Sequence, residues 1–213
     1  MSSTAPPLPA DELDAWALTL IQTRQTVLPR RLVEPGPSEA QLQRLFAAAA
    51  AAPDHEQRLP WRFIVVPRAR RDDLADAFAQ ALRERDAAAL PSQIDAAREK
   101  AHRAPFVMLA VARLEDDASA TQAGGGSVSQ AVVPAPERWV SLGCAIQNML
   151  LLAHAMGFGA ALTSGQAIAA RALRELFALA PGEEPVCFVN IGSVSQRRAP
   201  RQRPDATRFV TSL

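Results

Sequence analysis

Apolar residues recur at helical spacing in several stretches of the chain. Leu13, Trp16 and Leu20 follow Asp11, which can cap a first helix that runs to about Arg24. The same pattern predicts further helices over about 38–52, 70–85, 91–101, 137–156 and 167–177. The helix over 137–156 is apolar nearly all round, which is typical of a helix in a core or in a large interface.

Short apolar runs without polar alternation predict the strands. They lie at Phe63–Val66, Phe106–Val111, Ala160–Leu162 and Pro185–Ile191, and Phe209–Thr211 could add an edge strand. A continuous apolar run suits a strand that is covered on both faces. Helices and strands therefore alternate along the chain, which predicts an α/β or α+β domain.

Composition and charge narrow the class of protein. The 213 residues, 48% of them hydrophobic, are enough for one domain, with residues 1–10 as a flexible tail. A net charge of +1 gives no general attraction to nucleic acid or to anionic membranes, so neither is expected as a partner. The N-terminus lacks a secretory pattern, which predicts a cytoplasmic protein. Cys144 and Cys187 are expected to be buried, reduced thiols.

The polar segment Pro53–Trp61 is more elaborate than a connection between a helix and a strand requires. It holds His55, two acidic residues and Arg58 between two prolines, whereas most connections are shorter. Polar groups on loops held by rigid elements commonly bind ligands. His55 could also form a backbone hydrogen bond within the loop, so the segment is a candidate site only.

Three other polar groups of residues are candidates for ligand binding. Arg24, Gln25 and Thr26 close the first helix with donors that suit a phosphate. A basic side chain there also complements the helix dipole, and the residues alone favour this simpler interpretation. Residues 163–165, Thr-Ser-Gly, would let a planar ring approach the backbone or would form an ordinary turn. The arginines over 197–203 could contact a phosphate or form a solvated tail.

Motifs for several other chemistries are absent from the sequence. His55, His102 and His154 are its three histidines, and none lies beside a serine nucleophile signature. The chain has no H-E-x-x-H motif, no cysteine pair for zinc and no Walker loop. We therefore expect neither a catalytic side chain of this kind nor a metal site.

Several short motifs follow one another along about residues 15–213. They are Arg24-x-Thr26, Glu34-Pro35-Gly36-Pro37-Ser38, Ala52-Pro53-Asp54-His55, Pro60-Trp61-Arg62-Phe63, Gly157-Phe158-Gly159, Leu162-Thr163-Ser164-Gly165 and Gly192. This order resembles the nitroreductase-like FMN flavoproteins, specifically their compact NAD(P)H nitroreductase branch. The pairing of Ala-Pro-Asp-His with Pro-Trp at this spacing is the most specific part of the resemblance.

The resemblance implies a fold, a cofactor and an activity. The fold would be an α+β, sandwich-like domain over residues 11–213, with a central, mainly antiparallel sheet of about four to five strands flanked by helices. Two copies would intertwine as a homodimer that holds FMN at the subunit interface. The activity would be an FMN-dependent, ping-pong transfer of two electrons from NAD(P)H to a nitroaromatic, a quinone or a similar small acceptor.

The resemblance also implies a set of cofactor-binding residues. These are Arg24, Gln25, Thr26, His55, Leu162, Thr163, Ser164 and Arg197. The first three would hold the phosphate and the ribityl chain, and His55 would reach the same cofactor from the partner chain. Residues 162–164 would line the flavin ring, and Arg197 would lie near the phosphate. Residues 152–157 match a stretch associated with the nicotinamide dinucleotide.

The chain departs from the family pattern at three positions. Gln25 stands where the family often has a second arginine, Ala51 where close relatives can carry a basic residue, and Leu59 where many members have glutamine. These departures bear on flavin affinity and reduction potential, and they leave open a flavin-binding carrier or sensor without turnover. A dimerisation module without a cofactor is a further alternative, although it has little use for the Pro53–Trp61 loop.

Overall fold

The structure, a computed structural model, describes residues 9–115, 133–196, 199 and 202–213. Of the predicted tail over residues 1–10, residues 1–8 lie outside this part of the chain. The described helices are α1 (Ala10–Thr23), α2 (Glu39–Ala50), α3 (Arg71–Arg85), α4 (Pro91–Glu99), α5 (Ala135–Ala155) and α6 (Arg171–Leu176). The described strands are β1 (Leu32–Val33), β2 (Trp61–Val65), β3 (Phe106–Arg113), β4 (Gly159–Thr163) and β5 (Glu183–Val194).

The described strands form one antiparallel sheet of five strands. β5 is its centre, because it pairs with β3, with β4 and with the short β1. β2 lies outside β3 and pairs with it over Trp61–Val65. This arrangement confirms the predicted α+β fold with a mainly antiparallel sheet flanked by helices.

Strand β3 is buried on both faces because its side chains alternate between two hydrophobic cores. Met108 and Ala110 belong to the core that the sheet shares with α2 and α5. Val107 and Leu109 belong to the core between the sheet and α3 and α6. The continuous apolar run therefore has the double coverage that its sequence predicts.

Helix α2 is placed by a capping box at its start and by small side chains along its length. The Gln41 backbone N–H donates to Ser38 Oγ (3.4 Å), and the Ser38 N–H donates to Gln41 Oε1 (2.8 Å), so the two residues form a capping box. Ala49 is buried in the core that contains α5. Asn148 of α5 donates a hydrogen bond to the Ala48 carbonyl (3.1 Å), so the two helices lie in close contact.

Helix α5 runs through the centre of the domain over 21 residues. Its stripe of Leu142, Ile146, Met149, Leu150 and Ala153 is buried, as expected for a helix that is apolar nearly all round. Among the described residues, no helix is long and apolar enough to cross a membrane.

Helix α1 has no buried residue in the single chain. Leu13, Trp16 and Ile21 are 55%, 66% and 53% exposed, so its apolar surface is uncovered. The predicted cap at Asp11 is wrong, because α1 begins at Ala10 and has no side-chain cap.

Two further sequence predictions need correction, and one strand was missed. Residues 209–211 add no edge strand, because a 3-10 turn over Ala206–Arg208 precedes them instead. The helix predicted over 167–177 is divided into a 3-10 turn at Gln166–Ala169 and α6. β1 was not predicted, because two residues form a strand only where the end of β5 pairs with them.

The two free cysteines lie in different environments. Cys187 is buried as expected, and burial raises the pKa of its thiol to about 11. Cys144 is only partly buried, so the prediction of two buried thiols holds for Cys187 alone.

Candidate functional site

Arg24, Gln25 and Thr26 line a cavity of about 490 Å³ at the end of α1, which we call the α1 cavity. Its basic lining residues are Arg24, Arg31, His154 and Arg203. No carboxylate side chain lines it among the described residues. The cavity therefore has a positive potential that suits an anion.

The guanidinium groups of Arg24 and Arg203 face the same cavity. Burial lowers the pKa of Arg24 below its usual value, and the positive charge of Arg203 lowers it further. Arg203 donates to the carbonyls of Gln22 (3.3 Å) and Arg24 (2.6 Å), where α1 ends. Arg203 thus caps the helix carbonyls, and a bound anion would offset the repulsion between the two guanidinium groups.

The chain after α1 is fastened to the start of β4. Thr26 forms a parallel bridge with Ala160, and the Val27 N–H donates to the Ala160 carbonyl (2.9 Å). A Cβ at Gly159 would lie 2.7 Å from Val194 Cγ2 and 2.9 Å from Val27 Cγ2, so only glycine permits this approach. The fold thus brings Arg24–Thr26 next to β4.

Leu162, Thr163 and Ser164 line a second cavity of about 880 Å³ at the end of β4, which we call the β4 cavity. Leu28 lines both cavities, so the two adjoin. No atom lies within 4 Å of the position of a Cβ at Gly165, so the space beside this turn is open. The structure therefore brings two of the predicted groups, 24–26 and 162–164, into one continuous region.

Asn190 of β5 is a residue of this region that sequence reasoning missed. It is 3% exposed, and its Nδ2 donates to Thr163 Oγ1 (3.0 Å) and to the carbonyls of Ala161 and Phe188 (both 3.3 Å). The amide holds the Thr163 hydroxyl at the wall of the cavity. The sequence signal for this residue is that it is a single amide inside the apolar run of β5, where a buried polar group needs hydrogen-bond partners.

Four basic residues that line the β4 cavity were also missed. They are Arg30, Arg85, Lys100 and Arg103. They come from the 3-10 turn before β1, from the end of α3 and from the segment after α4. Only Lys100 and Arg103 are neighbours in sequence, so the linear chain gave little sign that the four side chains meet.

His55 lies away from both cavities in the single chain. Its Nδ1 is 3.7 Å from Glu137 Oε2, its Nε2 is 3.9 Å from Glu56 Oε1, and its side chain is 53% exposed. The chain therefore does not bring His55 together with Arg24–Thr26 or with residues 162–164. Its predicted contact with a cofactor held by the partner chain stays a prediction.

The loop that carries His55 has a strained backbone. Glu56, Gln57 and Leu59 have φ angles of 54°, 55° and 49°, which is the left-handed region. Such angles cost roughly 1–3 kcal/mol for each residue other than glycine. Asp54 holds the loop together, because its Oδ2 accepts a hydrogen bond from the Leu59 N–H (2.7 Å). Strain of this kind is concentrated at functional sites.

In the same loop, Glu56 and Gln57 face solvent, but Arg58 does not. Its side chain is 11% exposed and donates to Glu56 Oε2 through Nη2 (2.5 Å) and Nε (3.2 Å). The guanidinium is paired across the left-handed turn, which draws it inward. Glu56 therefore has a structural partner, whereas Gln57 is exposed.

The remaining two predictions concern Arg197 and residues 152–157. Arg197 lies outside the described residues. Residues 152–157 form the end of α5 and the turn after it. Within them, His154 Nε2 lies 2.9 Å from Thr23 Oγ1 at the α1 cavity. The association of this stretch with a nicotinamide dinucleotide is untested.

The two adjoining cavities fit the parts of FMN. Within the described part of the chain, the α1 cavity offers cations and no carboxylate to a phosphate. The β4 cavity offers apolar side chains, among them Phe78 and Phe188, and a turn of small hydroxyl residues to a planar ring. Among the described residues, no group of three or more potential metal ligands occurs.

Sequence comparisons agree with this chemistry. The model of the Nitroreductase family matches residues 21–193. A protein of Haemophilus influenzae named "Putative NAD(P)H nitroreductase" is 33% identical over 92% of this chain and 99% of its own length. A protein of Escherichia coli K12 named "Putative NAD(P)H nitroreductase YdjA" is 32% identical over 92% of this chain and 98% of its own length.

Solved structures share the fold at low sequence identity. A nitroreductase-like family protein from Bacillus cereus has a TM-score of 0.75 at 18% identity, covering 100% of this chain and 98% of its own. An NADPH:FMN oxidoreductase from Vibrio harveyi, solved with NAD⁺, has a TM-score of 0.67 at 17% identity, covering 92% and 76%. With this fold, a family match over most of its length and full-length relatives at about one-third identity, the chain belongs to the Nitroreductase family of oxidoreductases.

Proposed function

We propose that this protein is an FMN-dependent NAD(P)H oxidoreductase that transfers two electrons to a nitroaromatic, a quinone or a similar small acceptor. The observation that carries the proposal is the pair of cavities that adjoin at Leu28. The α1 cavity is cationic, and the β4 cavity combines apolar side chains with four basic ones. The names of the bacterial relatives and the bound NAD⁺ of the Vibrio harveyi enzyme support the same donor and cofactor.

In this proposal, the residues of the α1 cavity bind the phosphate and the ribityl chain. Arg24 and Arg203 supply charge, and Gln25 and Thr26 supply neutral donors. Arg197 would add a further cation near the phosphate. Because Gln25 replaces a charge that many family members carry, Arg203 is the cation that compensates for it in the described part of the chain.

The residues of the β4 cavity would orient the ring. Leu162 and Ser164 line it, and Asn190 fixes the Thr163 hydroxyl through a 3.0 Å hydrogen bond. Lys100 is a cation on the cavity wall, and a cation beside the ring would raise its reduction potential by stabilising the negative charge that reduction adds.

When bound, FMN supplies the redox chemistry, taking a hydride from NAD(P)H and passing two electrons on in a ping-pong cycle. For a nitro acceptor the overall reaction consumes one NAD(P)H and one proton and yields a nitroso compound, NAD(P)⁺ and water. The electron pair lost by the nicotinamide is the pair gained by the nitro group. The chain need not supply a dedicated acid, because solvent water can provide the proton at an exposed cavity mouth.

A homodimer belongs to the same proposal. The exposed apolar side chains of α1, including Trp16, and Val140 of α5 (65% exposed) provide surface for a second copy. The second copy would bring its His55 to the cofactor held by Arg24–Thr26. We also infer a cytoplasmic location, where the two free cysteines would stay reduced.

A visible absorption spectrum of the purified protein, followed by release and identification of the flavin, tests the cofactor. NADH and NADPH oxidation with nitroaromatic and quinone acceptors then tests the activity. Bound FMN with oxidation of either nucleotide supports the proposal. Yellow protein without nucleotide oxidation would instead indicate a carrier or sensor, and colourless protein that cannot be reconstituted with FMN would contradict cofactor binding.

The His55→Ala variant tests the contribution of the partner chain. We expect it to lower FMN occupancy and to leave the dimer intact, as measured by flavin content and by sedimentation. Gln57→Ala is the better control than a change at Glu56, because Glu56 holds the Arg58 guanidinium. Equal flavin content in the two variants would contradict the role of His55.

A further inference from the structure

The β4 cavity contains more positive charge than the proposed FMN site uses. Arg30, Arg85, Lys100 and Arg103 line it, and no carboxylate does so among the described residues. The chain as a whole is nearly neutral, with 23 basic and 22 acidic residues. The excess of cations is therefore a property of this cavity and not of the composition.

Within the part of the chain that the structure describes, three of the four cations have no ionic partner. Arg103 pairs with Glu99 (2.9 Å), a residue that does not line the cavity. Within the described residues, the side chains of Arg30, Arg85 and Lys100 form no ion pair or hydrogen bond. Cations that share one cavity repel one another, and a bound anion would relieve this repulsion.

The floor of the same cavity suits an aromatic group. Phe78 and Phe188 meet edge to face, with ring centroids 5.5 Å apart and planes at 78°. Leu74 and Val107 are buried next to them. A volume of about 880 Å³ lies within the range of about 300–1,000 Å³ for small-molecule sites. A ligand that combines a planar ring with a negative charge complements both parts of the wall.

The basic wall is held rigidly by Arg71, whose side chain is buried. Its Nη1 donates to the Ala101 carbonyl (2.7 Å), its Nη2 to Pro105 (3.2 Å) and its Nε to Val66 (3.1 Å). These bonds fix the 3-10 turn over Lys100–His102, which carries a cation of the wall. Because the wall is already rigid, it loses less conformational entropy when a ligand binds.

We propose that the β4 cavity selects electron acceptors that carry an anionic group on an aromatic ring, with Arg30 and Arg85 as the specificity-determining residues. The inference rests on the proposed function, because it names the acceptor class of the same site. For a nitrobenzoate, the nitro group gains the electron pair that NAD(P)H loses, and the carboxylate remains unchanged at the cations.

A pair of matched acceptors tests the inference in the FMN-loaded protein. 4-Nitrobenzoate and 4-nitrobenzamide have nearly the same shape and differ in charge. We expect kcat/KM to be higher for 4-nitrobenzoate by about three- to tenfold, through a lower KM, which corresponds to one or two partly exposed charge contacts. The preference should shrink as the salt concentration rises.

The variant Arg85→Gln should reduce the preference for 4-nitrobenzoate over 4-nitrobenzamide. The double variant that combines Arg30→Gln with Arg85→Gln should abolish it. Arg83→Gln is the matched control, because Arg83 lies in the same last turn of α3 but does not line the cavity. Flavin content and far-UV circular dichroism check that each variant is loaded and folded. An equal preference in the Arg85→Gln and Arg83→Gln variants would overturn the assignment.

Two further outcomes separate this inference from the proposed function. Titration calorimetry with benzoate, which carries the charge but cannot be reduced, measures anion binding without turnover. If benzoate binds more weakly to the Arg85→Gln variant, the anion site is supported. If neither acceptor is reduced in the same experiments, the proposed reductase activity is contradicted. Alternatively, Arg85→Gln could change the preference between NADPH and NADH and leave the preference between the two acceptors unchanged. The cations would then bind the nucleotide donor, and the acceptor assignment would be overturned.

Discussion

The turn after β4 and the loop before β2 both carry residues of the candidate site, but they are held in different ways. Thr163 is fixed by Asn190, a buried amide from the centre of the sheet. The loop that presents His55 is held by a short-range bond from Asp54 and contains three left-handed residues other than glycine. The first region is completed within one chain, whereas the second directs an exposed histidine away from it.

This difference shows how a site can be shared between two copies of a chain. The Thr163 hydroxyl at the turn after β4 accepts a hydrogen bond from Asn190 within the same chain. The loop retains backbone strain and exposed polar groups, which a neighbour can compensate when it binds. Mutation of Asn190, which holds the first region together, should therefore act mainly on folding, and mutations in the second region mainly on cofactor binding.

The largest effect is expected for Asn190→Leu, which has a similar volume and removes the amide. Two buried backbone carbonyls and the partly buried Thr163 Oγ1 lose a donor, so the free energy of unfolding should fall by about 2–3 kcal/mol. Chemical denaturation measures this change. The neighbouring change Ile191→Val should cost about 0.5–1.5 kcal/mol, and an equal loss in both variants would show that Asn190 acts by packing alone.

A smaller loss is expected for Asp54→Ala in the loop. The Leu59 N–H would lose its partner, which should lower the free energy of unfolding by about 1 kcal/mol. FMN occupancy should fall as well, because the loop would no longer hold His55 in place. Flavin content and denaturation of the same preparation measure both effects. Normal occupancy in this variant would show that the position of His55 does not depend on Asp54.

A gain in stability is expected for Gln57→Gly. Glycine adopts a φ of 55° without strain, and this gain exceeds its extra entropy in the unfolded chain, so stability should rise by about 0.5–1 kcal/mol. The change in midpoint temperature measures it. Ala88→Gly, in a turn without a positive φ, should not be stabilising, and a gain there of the same size would contradict the role of strain.

The smallest change in stability is expected for His55→Gln. The side chain is half exposed, so the free energy of unfolding should stay within about 0.5 kcal/mol of the parent value. Flavin occupancy should nevertheless fall. A loss of stability comparable to that of Asn190→Leu would place His55 in the structural framework, and the contrast between the two regions would then disappear.

Local sequence patterns predicted the elements that bury long apolar surfaces. The runs at β3 and β5 and the stripe of α5 were recognisable because periodicity and burial agree over many residues. β1 could not be recognised in the same way, since two residues carry no periodicity. The predicted cap at Asp11 failed because α1 lies on the surface and begins after Pro9, so no tertiary contact selects its start.

Short motifs with specific spacing were enough to indicate the family and the antiparallel fold that the family implies, and they marked 24–26 and 162–164 as candidate groups. The meeting of Arg30, Arg85 and Lys100 around one cavity was decided only by the tertiary structure. The tertiary structure alone also revealed that Asn190 anchors Thr163 and that the Arg58 side chain turns inward. Such contacts join residues far apart in the chain or depend on φ angles, and neither follows from local composition.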